Sequence, residues 1–289
     1  MFQFFANIFG FVLNFINSFV GNYGLAIILF TILIKLIMLP LSIKQQRTMK
    51  KSAKLQEQIK VLQFKYKNDP EKLNREMMEL YKKENMSPFS GCLSSIVQFI
   101  LLISIFYMVR FPLTYMERID KTQINTYVQQ MKDDGMTVSQ AYSEIDIVRE
   151  LDYLKEKFPE DENLHKINLN MNFCGLDLSK IPQQNLGDWT VYIIPILYII
   201  STFISMRITT SMQNSKKKDD VIDITENKEE ERNEMEDAMA QSNKMMSWMM
   251  PIMSVSISLV APLGLALYWL VNNILMICER LILDKVVKD

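Results

Sequence analysis

The residue types that carry most enzyme and metal chemistry are scarce in this chain. It holds one histidine, His165, and three cysteines, Cys92, Cys174 and Cys278, among 289 residues. The cysteines lie far apart, without a CxxC spacing or a His/Cys cluster, which argues against a bound zinc, a redox pair or a disulfide framework. No catalytic residue and no metal site is therefore expected, and a membrane-embedded protease would lack its nucleophile–base constellation. The chain also lacks a G-x-x-x-x-G-K-[ST] run, so no ATP site and no cofactor is expected. At the amino terminus there is neither a basic n-region nor an A-x-A cleavage site, and the segment does not read as a secretory signal.

Apolar residues, by contrast, are plentiful and clumped. Five runs, at 23–41, 93–109, 190–206, 245–260 and 263–282, are long and apolar enough to read as spans. A helix of ~20 residues crosses the ~30 Å hydrocarbon core of a bilayer, with ~17 as the lower limit. The expected fold is all-α, a polytopic membrane protein of five transmembrane helices. Before the first span, Gln3, Asn7, Gly10, Asn14 and Asn17 recur at steps of four and three, amid Phe, Ile, Val and Leu. This pattern predicts an amphipathic helix at the outer headgroups over 1–22, with a sixth span as the alternative.

The net charge of −1 conceals an asymmetry between loops. Residues 41–90 hold twelve Lys/Arg against six Asp/Glu, whereas 110–188 hold nine against fourteen. By the positive-inside bias the former faces the cytoplasm and the latter the outside, which puts the amino terminus outside and the carboxyl terminus inside. In 42–88, Asp69-Pro70 supplies a cap residue and a proline at the first helical position, so one helix ends near Lys67 and another begins at Pro70. Leu55, Ile59 and Leu62 form one apolar seam, and Leu73, Met77, Leu80 and Tyr81 the other, predicting an antiparallel hairpin with basic outer faces such as Lys50, Lys51 and Lys54. The second span occupies 89–110. The outer loop, 111–188, is expected to contain helix around Ile145, Val148, Leu151 and Leu154, followed by an irregular strap. Then come the third span at 189–207, a flexible charged loop at 208–244, the fourth and fifth spans at 245–260 and 261–282, and a tail at 283–289.

Lys35 is the most informative residue. It lies twelve positions into the first span, ~18 Å along the helix axis. An ammonium at that depth costs at least ~2.5–3.5 kcal/mol unless water or a partner relieves it. No acidic residue occupies the middle of a span, and Glu279 is the nearest candidate. A cation without a fixed counter-charge favours a wet cavity over snorkelling to the headgroups. Gln98, Ser201, Thr202, Ser205, Ser254, Ser256, Ser258 and the adjacent Asn272 and Asn273 are further polar residues within the spans. The third and fourth runs are short, ~24–26 Å if helical, and Pro195 and Pro251 are expected to kink them. Met235, Met239, Met245, Met246, Met249, Met250 and Met253 would suit an adaptable apolar slide.

Several of these runs together resemble one family. Tyr23-Gly24-Leu25-Ala26-Ile27 leading to Lys35-Leu36-Ile37-Met38-Leu39-Pro40 is similar to the first conserved span of the YidC/Oxa/Alb insertases. Lys65-Tyr66-Lys67 through Glu79-Leu80-Tyr81-Lys82 resembles their cytoplasmic hairpin, and Ser87-Pro88 through Gln98 their approach to the second span. Gly175-Leu176-Asp177-Leu178, Met250-Pro251-Ile252-Met253, and Pro262-Leu263-Gly264 through Tyr268-Trp269 with Asn272-Asn273 extend the likeness over most of the chain.

The resemblance implies a five-span core in a bacterial inner membrane, enclosing a hydrophilic groove open to cytoplasm and lipid and closed to the outside. It implies a positive residue in that groove, carried here by Lys35; Gln98, Ser201, Thr202, Trp269, Asn272 and Asn273 are read as further groove residues, with helix packing as the alternative for the hydroxyls, and Lys50, Lys51, Lys54, Tyr66 and Tyr81 as a partner surface on the hairpin, with an ordinary solvated hairpin as the alternative. The implied activity is that of a membrane protein insertase and chaperone, not an enzyme. Nascent membrane proteins would be its clients and membrane lipids its surroundings, with the ribosome and Sec translocon as further partners and no nucleic acid recognised directly. Members more often carry arginine where Lys35 stands; lysine keeps the charge but loses the bidentate fork. No lipobox cysteine stands near the amino terminus, and the tail after Ile282 is not strongly basic. A small-solute transporter or channel is the alternative, although no internal repeat of span groups is visible.

Overall fold

The computed structural model describes residues 2–67, 69–84, 86, 90–217 and 255–286. It is almost wholly helical. Helix α1 (Phe2–Val20) carries no charge and ends where Gly21, at φ +61°, turns the chain through the left-handed region. The Asn22 side chain then caps α2 by accepting a hydrogen bond from the Leu25 amide at 3.1 Å.

Helix α2 (Tyr23–Lys65) is 43 residues long, ~65 Å at the usual rise. The expected boundary after residue 41 does not exist as a break. The span runs straight into the first arm of the hairpin, because Lys, Gln, Arg and Leu after Pro40 all favour helix. Pro40 lies inside and denies the Leu36 carbonyl its usual donor without ending the helix. Helix α3 (Pro70–Lys83) starts as expected, with the Asp69 carboxylate accepting from the Lys72 amide at 3.0 Å. Leu55 and Ile59 are buried against α3, where Leu73, Met77, Leu80 and Tyr81 are half-buried.

Helix α4 (Ser90–Arg110) returns through the bundle to the one-turn α5 (Pro112–Tyr115). Beyond it the loop over 111–188 is more ordered than its sequence suggests. Helices α6 (Lys121–Asp133), α7 (Ser143–Arg149), α8 (Leu151–Lys157) and α9 (Glu162–Lys166) form a cap whose Ile124, Tyr127, Met131, Ile147, Leu154 and Leu164 are buried in one core continuous with the bundle. Ile145, Val148 and Leu154 are buried as their spacing predicts, and Leu151 is half-buried. A two-residue turn joins β1 (Asn172–Phe173) to β2 (Leu176–Asp177), with Cys174 and Gly175 both at positive φ.

Helix α10 (Ile193–Lys217) follows a 3-10 turn over Trp189–Tyr192. One expectation fails here. Pro195 sits in the first turn, where its missing amide hydrogen has no partner to lose, so it starts the helix instead of kinking it. The helix itself outruns its apolar run: 25 residues make ~37 Å, because helix continues into Thr, Ser and Gln after apolarity stops. Residues 255–260 are helical, and α11 (Leu263–Val286) closes the described chain. The methionine-rich run, Pro251 and most of the expected fourth span lie outside the described residues.

Among the described residues, four helices are long and apolar enough to cross a membrane, Phe2–Val20, Tyr23–Ser52, Trp189–Ile208 and Leu263–Val286, with a shorter apolar helix at Ile96–Arg110. On α1 the polar stripe is divided, with Gln3 and Asn7 exposed near its start. Gly10 and Asn17 are buried and Asn14 is half-buried, while Phe4, Phe11, Phe15 and Phe19 are exposed. The Asn14 amide donates to the Met116 carbonyl at 3.1 Å and the Asn17 amide to the Asn168 carbonyl at 2.8 Å. Asparagines that satisfy protein carbonyls belong on the inner face when the other face meets lipid.

The cap is docked on α4 by charge. The Arg110 Nε donates to the Ala141 carbonyl at 2.6 Å, and its guanidinium lies 4.8 Å from the Phe111 ring and 5.6 Å from that of Tyr142. Glu144, 3% exposed, accepts from both the Thr114 amide (2.9 Å) and hydroxyl (2.5 Å). Burial nevertheless pushes its carboxyl above the ordinary glutamate value, against the pull of the Thr114 bonds. The folded state thus holds this proton to higher pH than the unfolded chain does. The contribution to stability is complete below about pH 4.5 and fades as pH rises through the raised folded value. Glu144→Gln should flatten that part of the pH–stability curve, read as thermal unfolding in detergent between pH 4 and 8. A slope identical to the parent's would refute the assignment.

Candidate functional site

Two layers of structure build the site: a closure at the cap end of the bundle and polar side chains beneath it. Helix α2 and helix α11 both begin at the cap end, where the first amides of a helix lack internal partners. Residues 168–180 supply those partners. The Tyr23 amide donates to the Asn170 carbonyl at 3.0 Å, the Leu263 amide to Lys180 at 2.9 Å and the Gly264 amide to Leu178 at 2.9 Å. The Asn22 side chain adds a bond to the Asn172 carbonyl at 2.7 Å. This strap is stitched across the ends of α1, α2 and α11. Phe173 lies so close to α2 that a Cβ on Gly24 would stand 2.4 Å from its ring. Tyr23, 1% exposed, packs against Gly264 below.

Beneath the strap, Asn273 on α11 is 7% exposed. Its amide donates to the Ser201 hydroxyl at 2.9 Å and to the Thr202 hydroxyl at 3.3 Å, both on α10. Both hydroxyls in turn donate to the Tyr198 carbonyl, at 2.8 and 2.9 Å. Three of the residues read from the sequence are therefore one network. Trp269 stands one turn nearer the strap, half-buried, with its ring 6.1 Å from that of Tyr198.

Six residues further along α11, ~9 Å on, is Glu279. Its Oε2 lies 3.1 Å from the Lys35 ammonium, and the two side chains are 15% and 19% exposed. The expectation of a cation without a fixed counter-charge is thus overturned. The reason is reach. Lys35 is ~18 Å along α2 and Glu279 ~24 Å along the parallel α11, a difference that a four-carbon stem covers. An acidic residue near the end of one span can therefore neutralise a cation deeper in another. Linear position alone did not show which helix faces meet.

Other sequence-read residues stay apart from this centre. Gln98 is exposed on α4, and Asn272 is half-buried beside Asn273. Ser258 is buried and donates to the Val255 carbonyl of its own helix, a packing role; Ser254 lies outside the described residues. On the hairpin, Lys51 is exposed, Lys50 and Tyr81 are half-buried, and the Lys54 side chain lies outside the described residues. Tyr66 holds Lys65 and Lys72 over its ring at 5.2 and 5.0 Å, a basic cluster on an aromatic platform. The strap's anchoring by Asn17 and Asn22 was missed. Its only sequence signal is asparagine at a helix boundary, which reads equally as an ordinary cap.

Comparison with known proteins agrees with this architecture. The family model of the 60Kd inner membrane protein matches residues 15–289. Similar proteins include the membrane protein insertase YidC of Francisella tularensis subsp. novicida (strain U112) and that of subsp. tularensis (strain WY96-3418). Each is 50% identical over 109 residues, which is 38% of this chain and 20% of the relative. The matched stretch thus spans a fifth of the curated relatives' length. With apolar helices of spanning length and a family match over nearly all its residues, this is a multi-pass protein of the bacterial inner membrane, and it belongs to the 60Kd inner membrane protein family, the YidC/Oxa family that its motifs resemble.

Proposed function

We propose that the chain is a membrane protein insertase and chaperone that receives nascent membrane proteins from the cytoplasm. The observation that carries the reading is a set of polar side chains, Lys35, Ser201, Thr202 and Asn273, inside a bundle whose cap end is stitched shut by 168–180. In this reading the hairpin end faces the cytoplasm, following the loop charges, and the cap faces outward. The basic cluster around Tyr66 meets the arriving chain, with the ribosome and the Sec translocon as further partners. A polar client segment enters the groove from the cytoplasm and the lipid side. There the Lys35 charge acts in a medium of low dielectric, where an attraction is far stronger than in water.

The client's apolar helix meanwhile partitions into lipid along α10 and α11, which releases the hydrophobic free energy that drives the process. Acidic residues moving outward are also favoured by an inside-negative potential, by ~2.3 kcal/mol per charge per 100 mV. No nucleotide hydrolysis enters. Photoreactive side chains at Met38 and Met276, both half-buried and three residues from Lys35 and Glu279 on the same faces, should crosslink to a stalled nascent membrane protein. A probe at Phe4, 65% exposed on the outer face of α1, should not. Equal yields from all three positions would remove the groove from the mechanism.

A further inference from the structure

Two glutamates in this protein are held very differently. Glu144 in the cap has donors on both oxygens, from the Thr114 amide and hydroxyl. Glu279 is held through one oxygen: Oε2 meets the Lys35 ammonium, while Oε1 is buried with no hydrogen-bond partner. A buried carboxylate oxygen without a donor is poorly satisfied, so the folded state gives this carboxylate weak reason to stay. Its partner offers little geometric lock, since an ammonium is a point charge on a flexible stem. The arrangement is a single-point ion pair at the depth where the proposed function requires a carboxylate to bind.

We propose that Glu279 is a resident stand-in for the client: its carboxylate occupies Lys35 in the resting protein and is displaced by an acidic group of the incoming segment. This deepens the reading of Lys35 as the client's anchor and rests on it. Exchange of one carboxylate for another keeps the cation neutralised throughout, so no step leaves a bare ammonium in the inner leaflet. The exchange also sets a threshold. A client must compete with a tethered group of high local concentration, so weakly acidic or neutral segments do not hold the site. Apparent affinity falls by the fraction of time Lys35 is open; a pair closed about nine-tenths of the time weakens acidic clients about tenfold.

The test uses the full chain in proteoliposomes and two stalled single-span clients, one with three aspartates in its leading tail and one with asparagines there. Half-saturation is read by crosslinking from Met38. Glu279→Gln, which keeps an acceptor for Lys35 but not the charge, should tighten the acidic client about tenfold and leave the neutral one unchanged. Glu279→Asp, charged but shorter, should fall between, and carries the test if the glutamine variant does not fold. The proposal is overturned if both variants match the parent within twofold, or if both weaken the two clients alike, as a purely structural strut would. Lys35→Gln separates this from the underlying reading. If it abolishes the preference for the acidic client while the Glu279 variants change nothing, the stand-in alone fails; if the preference survives it, the anchor fails as well.

Discussion

Replacing Lys35 by glutamate should lower insertion of acidic-tailed clients at least tenfold and destabilise the protein by about 3 kcal/mol, within the range for breaking a partly buried pair. The substitution does more than remove a cation. It sets a second carboxylate near Glu279, whose Oε2 stands 3.1 Å from the present ammonium. Like charges in a low-dielectric setting repel strongly, so α2 and α11 must separate or one carboxyl must take up a proton. Clients with neutral tails should lose no more than the stability deficit explains. The exchange variant Lys35→Glu with Glu279→Lys separates the two effects: it restores the pair and should recover most of the lost stability. Lys35→Arg should insert acidic clients within about twofold of the parent, since charge and not the bidentate fork is at issue. Normal insertion of acidic clients by Lys35→Glu would end the electrostatic account.

Gly10→Leu should be the most disruptive change outside the site, costing about 3–5 kcal/mol from overpacking and lost hydrogen bonds. A Cβ on Gly10 would stand 2.2 Å from the Tyr115 carbonyl oxygen and 2.6 Å from its carbon, and backbone cannot swing aside as a side-chain tip can. Helix α1 must lift away from α5, taking with it the bonds from Asn14 to Met116 and from Asn17 to Asn168. The second bond holds the strap, so the effect reaches the seal over α2 and α11. Gly21 is the control. It meets nothing within 4 Å, and Gly21→Ala should cost only about 1 kcal/mol, the strain of a left-handed φ. Thermal unfolding in detergent reads both; a Gly10→Leu protein as stable as Gly21→Ala would show that α1 is free to shift.

Both expectations concern places where separate helices meet, and there the sequence was least legible. The hairpin could be read closely because its signals are local: Asp69 and Pro70 dictate a helix start by capping and fixed φ, and the heptad-like spacing of Leu55 and Ile59 dictates which face is buried. Ser201, Thr202 and Asn273 were legible as polar residues in apolar runs, although nothing in their spacing says that one amide serves both hydroxyls. Helix α10 outruns its apolar stretch because apolarity marks where lipid ends, whereas helix propagation depends on backbone propensity. The strap over 168–180 was legible as irregular chain but not as the element that satisfies the first amides of two helices.

The sequence by itself determined the membrane class, the helical content, the start of α3 after Asp69, the charge asymmetry of the loops and the family, since each rests on composition or on residues within a few positions of one another. Only the tertiary structure decided that Lys35 has a partner, that Asn14 and Asn17 of α1 bond to carbonyls of distant residues and that 168–180 closes the bundle. Those outcomes depend on the rotation of each helix about its axis and on its register against its neighbours. Both are set jointly by all the side chains at a contact, so no single stretch of chain encodes them.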